Sequence, residues 1–211
     1  MSLEKKRLYA LIIITLFSFI IVMGIGNFRA KQLAVSLAGD RVTNAVNLAA
    51  QALEGDQVLA VIKALKDEHP YYEQMRKTLK AIKNEHELED IYILYKDEEK
   101  MQWFYVVDTR EASDPAHHSL GDVEKRASAA VEKTIRGKAV QDEYHVTAQG
   151  TFVSSYQEIK DTQGATFAVL GGDLRAEELT EFLYLTRYVQ FAIIALTLLL
   201  IGGTLLVTKK K

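Results

Sequence analysis

Asp173 closes the apolar strand pattern "ATFAVLGGD", where alternation puts Ala165, Phe167, Val169, Gly171 and Asp173 on one face. A carboxylate ending an apolar row can hold a ligand ammonium through a charge-assisted hydrogen bond, or cap the helix that follows. The continuation "GDLRAEEL", with Leu174 just inside and Glu177 four residues on, keeps both uses open. In the preceding strand pattern Ser154 shares a face with Tyr156, so its hydroxyl is either a donor to a ligand or an ordinary solvated strand serine. Further upstream, "QWFYVVD" sets Trp103, Tyr105 and Val107 on one face and Phe104, Val106 and Asp108 on the other. Asp108 ends its strand much as Asp173 ends its own, and aromatic residues at this spacing serve equally well as sheet packing.

Other reactive side chains form no catalytic pattern. His117 and His118 follow Pro115 with Asp114 nearby, but adjacent histidines lack the i, i+4 spacing that turns two imidazoles to one helix face, so no metal site is expected. His69, His86 and His145 are scattered and read as surface residues. Neither a Ser-His-Asp order, a phosphate loop nor a nucleophile elbow is present, and the reading is of a non-enzyme without a cofactor.

The elements that must position these residues follow from periodicity. Leu33, Leu37, Val42, Val46, Ala49 and Leu53 recur at three to five residues, which predicts a long amphipathic helix ending near Gly55. Ala45, Ala49 and Ala52 give it a small-residue stripe for close packing, on its own sheet or on a second copy. "DQVLAVIKALKD" and "YYEQMRKTLKAIKNEH" predict two further helices, the second opening just after Pro70. From Asp90 the period becomes two, giving a hairpin with a charged turn around Asp97-Glu98-Glu99. A helix is expected over "VEKRASAAVEKTIRGK", then strands at about 140–146, 151–160 and 165–173, the last two joined by Asp161-Thr162-Gln163-Gly164. The pattern predicts an α+β domain with a five-stranded antiparallel sheet.

Both ends of the 211-residue chain are strongly apolar. Leu8–Gly26 offers 19 residues without a charge and Tyr188–Thr208 offers 21, each long enough to cross about 30 Å of hydrocarbon. The first run could also be a cleaved signal peptide, although it exceeds a usual apolar region of roughly 7–15 residues. Lys5-Lys6-Arg7 and Lys209-Lys210-Lys211 flank the runs on one side, so the positive-inside bias places both termini in the cytoplasm. The expected division is a cytoplasmic N-terminus (1–7), a first span (8–26), an extracytoplasmic domain (27–187), a second span (188–208) and a cytoplasmic tail (209–211). With the terminal bases set aside, the middle carries 20 Lys+Arg against 27 Asp+Glu, a net charge of −7 that excludes a nucleic-acid binder. The absence of cysteine excludes disulfides and thiolate metal sites and suits a bacterial-type outer domain.

The order "YILYKDEEKMQWFYVVD", "HHSLGD", "QGTFVSSYQEIKDTQGATFAVLGGDL" resembles the extracytoplasmic single Cache domains of bacterial chemoreceptors, histidine kinases and diguanylate cyclases. Tyr156, Ile159, Asp161, Gly164, Gly171 and Asp173 fill the family's Tyr-x-x-Ile-x-Asp, turn glycine and Gly-x-Asp places, and the likeness covers about residues 34–179. The resemblance implies a PAS-like fold with a long N-terminal helix, flanked by two transmembrane helices, that binds a small molecule by its sheet. It implies Asp173, Asp108, Tyr156, Tyr105, Tyr95 and Ser154 as candidate ligand-binding residues. The ligand would be a small solute, amine-bearing or amino-acid-like, and the receptor a homodimer signalling to a cytoplasmic or membrane partner. Members of the family usually continue into an output domain, whereas this sequence stops at Lys211. The alternative is a non-catalytic assembly subunit with a degenerate pocket.

Overall fold

The computed structural model describes residues 3–64, 69–125, 127–147 and 149–209. The expectations for Met1, Ser2, residues 65–67, Lys210 and Lys211 fall outside them. The elements in chain order are helices α1 (Leu3–Ala52), α2 (Gly55–Ala64) and α3 (Pro70–Glu85), and strands β1 (Asp90–Asp97), β2 (Gln102–Asp108) and β3 (Val123–Glu124). Helix α4 (Ala129–Thr134), strands β4 (Val140–Thr147), β5 (Gly150–Lys160) and β6 (Thr166–Arg175), and helix α5 (Glu177–Lys209) complete the chain. The chain divides into two compact units, Val35–Glu177 and the paired terminal stretches Met1–Ala34 with Glu178–Lys211.

The Val35–Glu177 unit is α+β, as expected, built on one antiparallel sheet of order β3-β2-β1-β6-β5-β4. The last strand therefore lies between β1 and β5, in the middle of the sheet. The five expected strands are joined by a sixth, because Val123–Glu124 pairs with Trp103 and Phe104 rather than opening a helix. Helix α4 begins later than expected, where Ser128 Oγ accepts from the Val131 backbone N–H at 3.3 Å as its N-cap. The β5–β6 turn is the expected one: Asp161 Oδ1 accepts from the backbone of Gln163 and Ala165, and Gly164 takes φ +83°.

One sheet face is covered by α1, α2 and α3, with Val42, Ala45, Val46, Ala49, Leu79, Ile91, Ile93 and Leu170 in a common core. Ala45 and Ala49 are fully buried here while Ala52 is exposed, so the small-residue stripe serves its own sheet. The close approach is set by Gly172, where a Cβ would lie 2.6 Å from Val46 Cγ2. Gly55, expected to end α1, opens α2 instead: a Cβ on it would meet the Lys160 carbonyl oxygen at 1.9 Å, so only glycine admits that strand end. The opposite sheet face carries a smaller core of Leu94, Trp103, Tyr105, Ala130, Val131, Tyr156 and Val169.

The windows Ile12–Ala52 and Tyr184–Gly203 are helices long and apolar enough to cross a membrane by length and composition, and the terminal unit holds the first of them only as far as Ala34. Partly covered residues recur along both helices at three or four residues: Ile12, Leu16, Phe19, Met23 and Asn27 on α1, and Thr186, Gln190, Ile194, Thr197 and Ile201 on α5. That heptad-like spacing marks a helix–helix seam. Asn27 Nδ2 donates to Gln190 Oε1 at 2.9 Å within it.

Candidate functional site

A cleft of ≈ 830 Å³ opens on the sheet face opposite α1, and the strand register explains its floor. Directly paired antiparallel residues share a face. Asp90, Asp173 and Ser154 form one cross-strand row, and Tyr92, Gly171 and Tyr156 form the next. Gly171 stands between two tyrosines because a Cβ there would meet the Tyr92 ring at 2.7 Å.

Two bulges change the faces that simple alternation gives. In β2 the register passes from Ile93↔Val107 to Leu94↔Tyr105, so Val106 is the extra residue and Asp108 comes to the same side as Tyr105. Alternation alone had put these two apart. In β6 Ile159 pairs with Ala168 and Lys160 with Thr166, so Phe167 is skipped and packs toward the helices, away from Val169. Val169, Gly171 and Asp173 keep the common face expected of them.

Asp173 belongs to β6 and α5 opens at Glu177, so the capping alternative does not hold: its carboxylate is engaged within the sheet. Ser154 Oγ, wholly buried, donates to Asp173 Oδ1 at 2.6 Å, and the Tyr92 hydroxyl approaches the same oxygen at 3.4 Å. No described residue donates to Oδ2 of this cleft-lining group. Burial pushes the Asp173 pKa up, against the lowering effects of the Ser154 bond, His145 and Arg110.

Asp90 is raised well above the usual carboxylate range, first by burial and then by the charge of Asp108, with Arg110 opposing. Thr109 Oγ1 donates to Asp90 Oδ1 at 2.8 Å, and Arg110 Nε lies 3.5 Å from Oδ2. Burial works against the Arg110 charge, yet Asp90, Asp108 and Asp173 together raise its pKa, so the guanidinium stays cationic. The phenols of Tyr92, Tyr105 and Tyr156 are all pushed up by burial and stay neutral donors. Tyr105 donates to Glu124 Oε2 at 2.6 Å and stacks on His118, ring centroids 4.0 Å apart and 9° from parallel. The cleft thus sets an open carboxylate oxygen and a partly buried guanidinium among aromatic walls, an arrangement suited to a small solute carrying both charges.

Of the residues singled out in the sequence, Asp173, Tyr105 and Tyr156 line the cleft, and Ser154 lies behind Asp173. Tyr95 does not join them. It is paired with Phe104, one residue beyond the cleft-facing Leu94, and packs against the helix-side core. Asp108 is fully buried and does not line the cleft. Asp90, Tyr92, Arg110, His118, Glu124 and His145 were not singled out for it, yet they line it. His145, expected at the surface, has a buried Nδ1 without a hydrogen-bond partner. The parity of Tyr92 with Leu94 was an available signal; Asp90 is brought across from Asp173 only by the β1–β6 register, and the loop-borne Arg110 and His118 had no signal in strand periodicity. His117 and His118 line different cavities, the former a smaller one beside Tyr72 and Arg76 of α3.

No protein-family model matches the chain, and no curated protein does. Among solved structures, the sensory domain of the Campylobacter jejuni chemoreceptor Tlp3 with isoleucine bound is similar at TM-score 0.44 and 12% identity, over 85% of this chain and 65% of that one. The ligand-binding domain of the Pseudomonas aeruginosa PAO1 amino-acid chemoreceptor PctC in complex with GABA is similar at TM-score 0.41 and 13% identity, over 74% of this chain. The chain spans about 65% of the length of either.

Proposed function

We propose that the chain is a two-pass membrane receptor module whose central domain, residues 27–187, lies outside the cell and binds a small zwitterionic solute. The observation that carries this reading is the open Oδ2 of Asp173 facing a cleft that also holds Arg110. An ammonium would sit at Asp173 and a carboxylate at Arg110, each by a charge-assisted hydrogen bond. The basic residues at both ends support a cytoplasmic placement of both termini. Signalling is a difference in solute affinity between two arrangements of the helices in a homodimer, read by a cytoplasmic or membrane partner, with no catalysis.

The test is calorimetry on the full chain in lipid nanodiscs with three probe sets: the L-amino acids, the amines that lack their carboxylate, and the acids that lack their amine. Saturable binding of at least one zwitterion, with amine and acid analogues weaker, is expected. Absence of binding by every probe would overturn the sensor reading in favour of an assembly subunit with a degenerate pocket.

A further inference from the structure

We infer that Asp108 is a positioning residue for the cleft: its buried carboxylate ties together the ends of segment 110–118, aiming Arg110 and His118 at the solute without touching it. The inference rests on the reading of the cleft as a solute site. Asp108 has no exposed surface, and its two oxygens are used separately: Oδ1 accepts from the Arg110 backbone N–H at 2.7 Å and Oδ2 from the His118 backbone N–H at 2.9 Å. A carboxylate accepting from two backbone donors eight residues apart closes the segment between them as a clasp.

The closed segment is braced from within. Asp114 Oδ1 accepts from the Ala116 N–H at 2.8 Å, and the Ala116 carbonyl accepts from Arg110 Nη1 at 2.9 Å. Arg76 of α3 donates to the Arg110 carbonyl at 3.3 Å from the helix side. Arg110 is thus held at its backbone N–H, carbonyl and guanidinium, and His118 at its backbone and by its stack on Tyr105. The β2 bulge is what turns Asp108 into this position, since it pairs with Tyr92 instead of facing the helices.

Asp108→Asn keeps the shape but replaces one acceptor oxygen with an NH2 that must face a backbone N–H, donor against donor. Two measurements on the full chain in nanodiscs decide the matter. By hydrogen exchange, the amides of residues 110–118 should exchange at least tenfold faster in Asp108→Asn, with β5 and β6 unchanged. By calorimetry, the variant should bind the best zwitterionic amino acid roughly ten- to a hundredfold more weakly, while the matching amine, which needs Asp173 alone, keeps its affinity.

Arg110→Ala should produce the same selective loss, and adding Asp108→Asn to it should cost much less than the two losses summed, since only the aim of His118 is left to lose. The inference is overturned by unchanged protection of 110–118, by faster exchange throughout the domain, by equal weakening of amine and zwitterion, or by additive losses. If the unaltered chain binds no probe, the solute reading fails, and the exchange experiment alone still upholds or rejects the clasp.

Discussion

Asp90 and Asp173 stand directly opposite each other on adjacent antiparallel strands, both on the floor of the cleft and both with raised pKa values. Like charges so placed disfavour the folded state when ionised. Arg110 offsets this for Asp90, and Ser154 and Tyr92 do so for one oxygen of Asp173. What remains is a carboxyl whose raised pKa a bound ammonium, on the proposed reading, would lower.

The stability consequence has a definite sign. For a carboxyl raised above its unfolded value near 3.8, the folded state binds the proton more tightly. The penalty is therefore fully present above the folded pKa and is relieved as pH falls from there toward the unfolded value. Asp173→Asn should raise the Tm of the ligand-free chain at pH 7–8 while abolishing the tightest solute binding, and its advantage should shrink on acidification toward pH 4. A Tm series against pH for both proteins checks this; a variant less stable than the original at pH 8 would contradict it.

Solute binding should itself release a proton. An ammonium favours ionised Asp173, whose carboxyl is faced by Tyr92 and Asp90 from β1, Ser154 and Tyr156 from β5, His145 from β4 and Arg110 from the loop. Affinity for an amino acid should thus decline as pH drops through the raised Asp173 pKa, and calorimetry in buffers of differing ionisation enthalpy should reveal proton release there. Affinity flat from pH 8 to pH 4 would exclude Asp173 as the ammonium partner.

The adjacent glycines separate site from core. Gly171→Ala presses on the Tyr92 ring, and Gly172→Ala presses on Val46 and Val42 of α1. Overpacking costs about 1–3 kcal/mol in a well-packed core, so Gly172→Ala should lower the unfolding free energy read from a urea titration by about that much. Gly171→Ala should instead displace Tyr92 from Asp173 and weaken solute binding about tenfold, roughly one charge-assisted hydrogen bond. Equal effects of both on binding would show that the two sheet faces are not independent.

Strand periodicity made five of the six strands, the turns at Asp97 and Asp161 and the common face of Gly171 and Asp173 legible, because a period of two survives wherever one face is buried. It failed where the chain inserts a residue. The Val106 bulge reverses the parity of Asp108 relative to Tyr105, and the Phe167 bulge turns that ring to the helix side. Tyr95 was assigned to the cleft through the resemblance, although its odd position beside Leu94 puts it on the other face. Arg110 and His118 come from a loop whose path depends on one buried carboxylate, and no local pattern announces such a long-range bond.

Helix α1 gives a further check that uses the absence of native cysteine. Single cysteines at Ala45 and Ala49 should resist maleimide in the folded chain, whereas those at Asn44, Leu48 and Gln51 should react, since the former are buried and the latter exposed. Homodimer crosslinks, if α1 forms that contact, should then appear at Leu37, Asn44 and Leu48. Fast labelling at Ala45 would mean that α1 leaves the sheet.

Within the terminal unit, the Asn27–Gln190 hydrogen bond sets the register of two apolar helices. Aliphatic side chains dominate the seam around it, and they slide past one another with little preference, whereas an amide pair is satisfied at one offset only. Asn27 Oδ1 is also buried without a partner, so the pair is held by one bond and not by a network. With Asn27 and Gln190 left in place, cysteine at Phe19 should crosslink through a short bismaleimide to cysteine at Thr197 more efficiently than to cysteine at Ile194 or Ile201, one turn away on the same seam. Asn27→Leu should broaden that preference by removing about 0.6–1.7 kcal/mol of interhelical bonding and stranding the Gln190 amide. The double change with Gln190→Leu should recover helix association but not register. Equal crosslinking at all three α5 positions in the unsubstituted seam would show that the amide pair does not fix how the helices align.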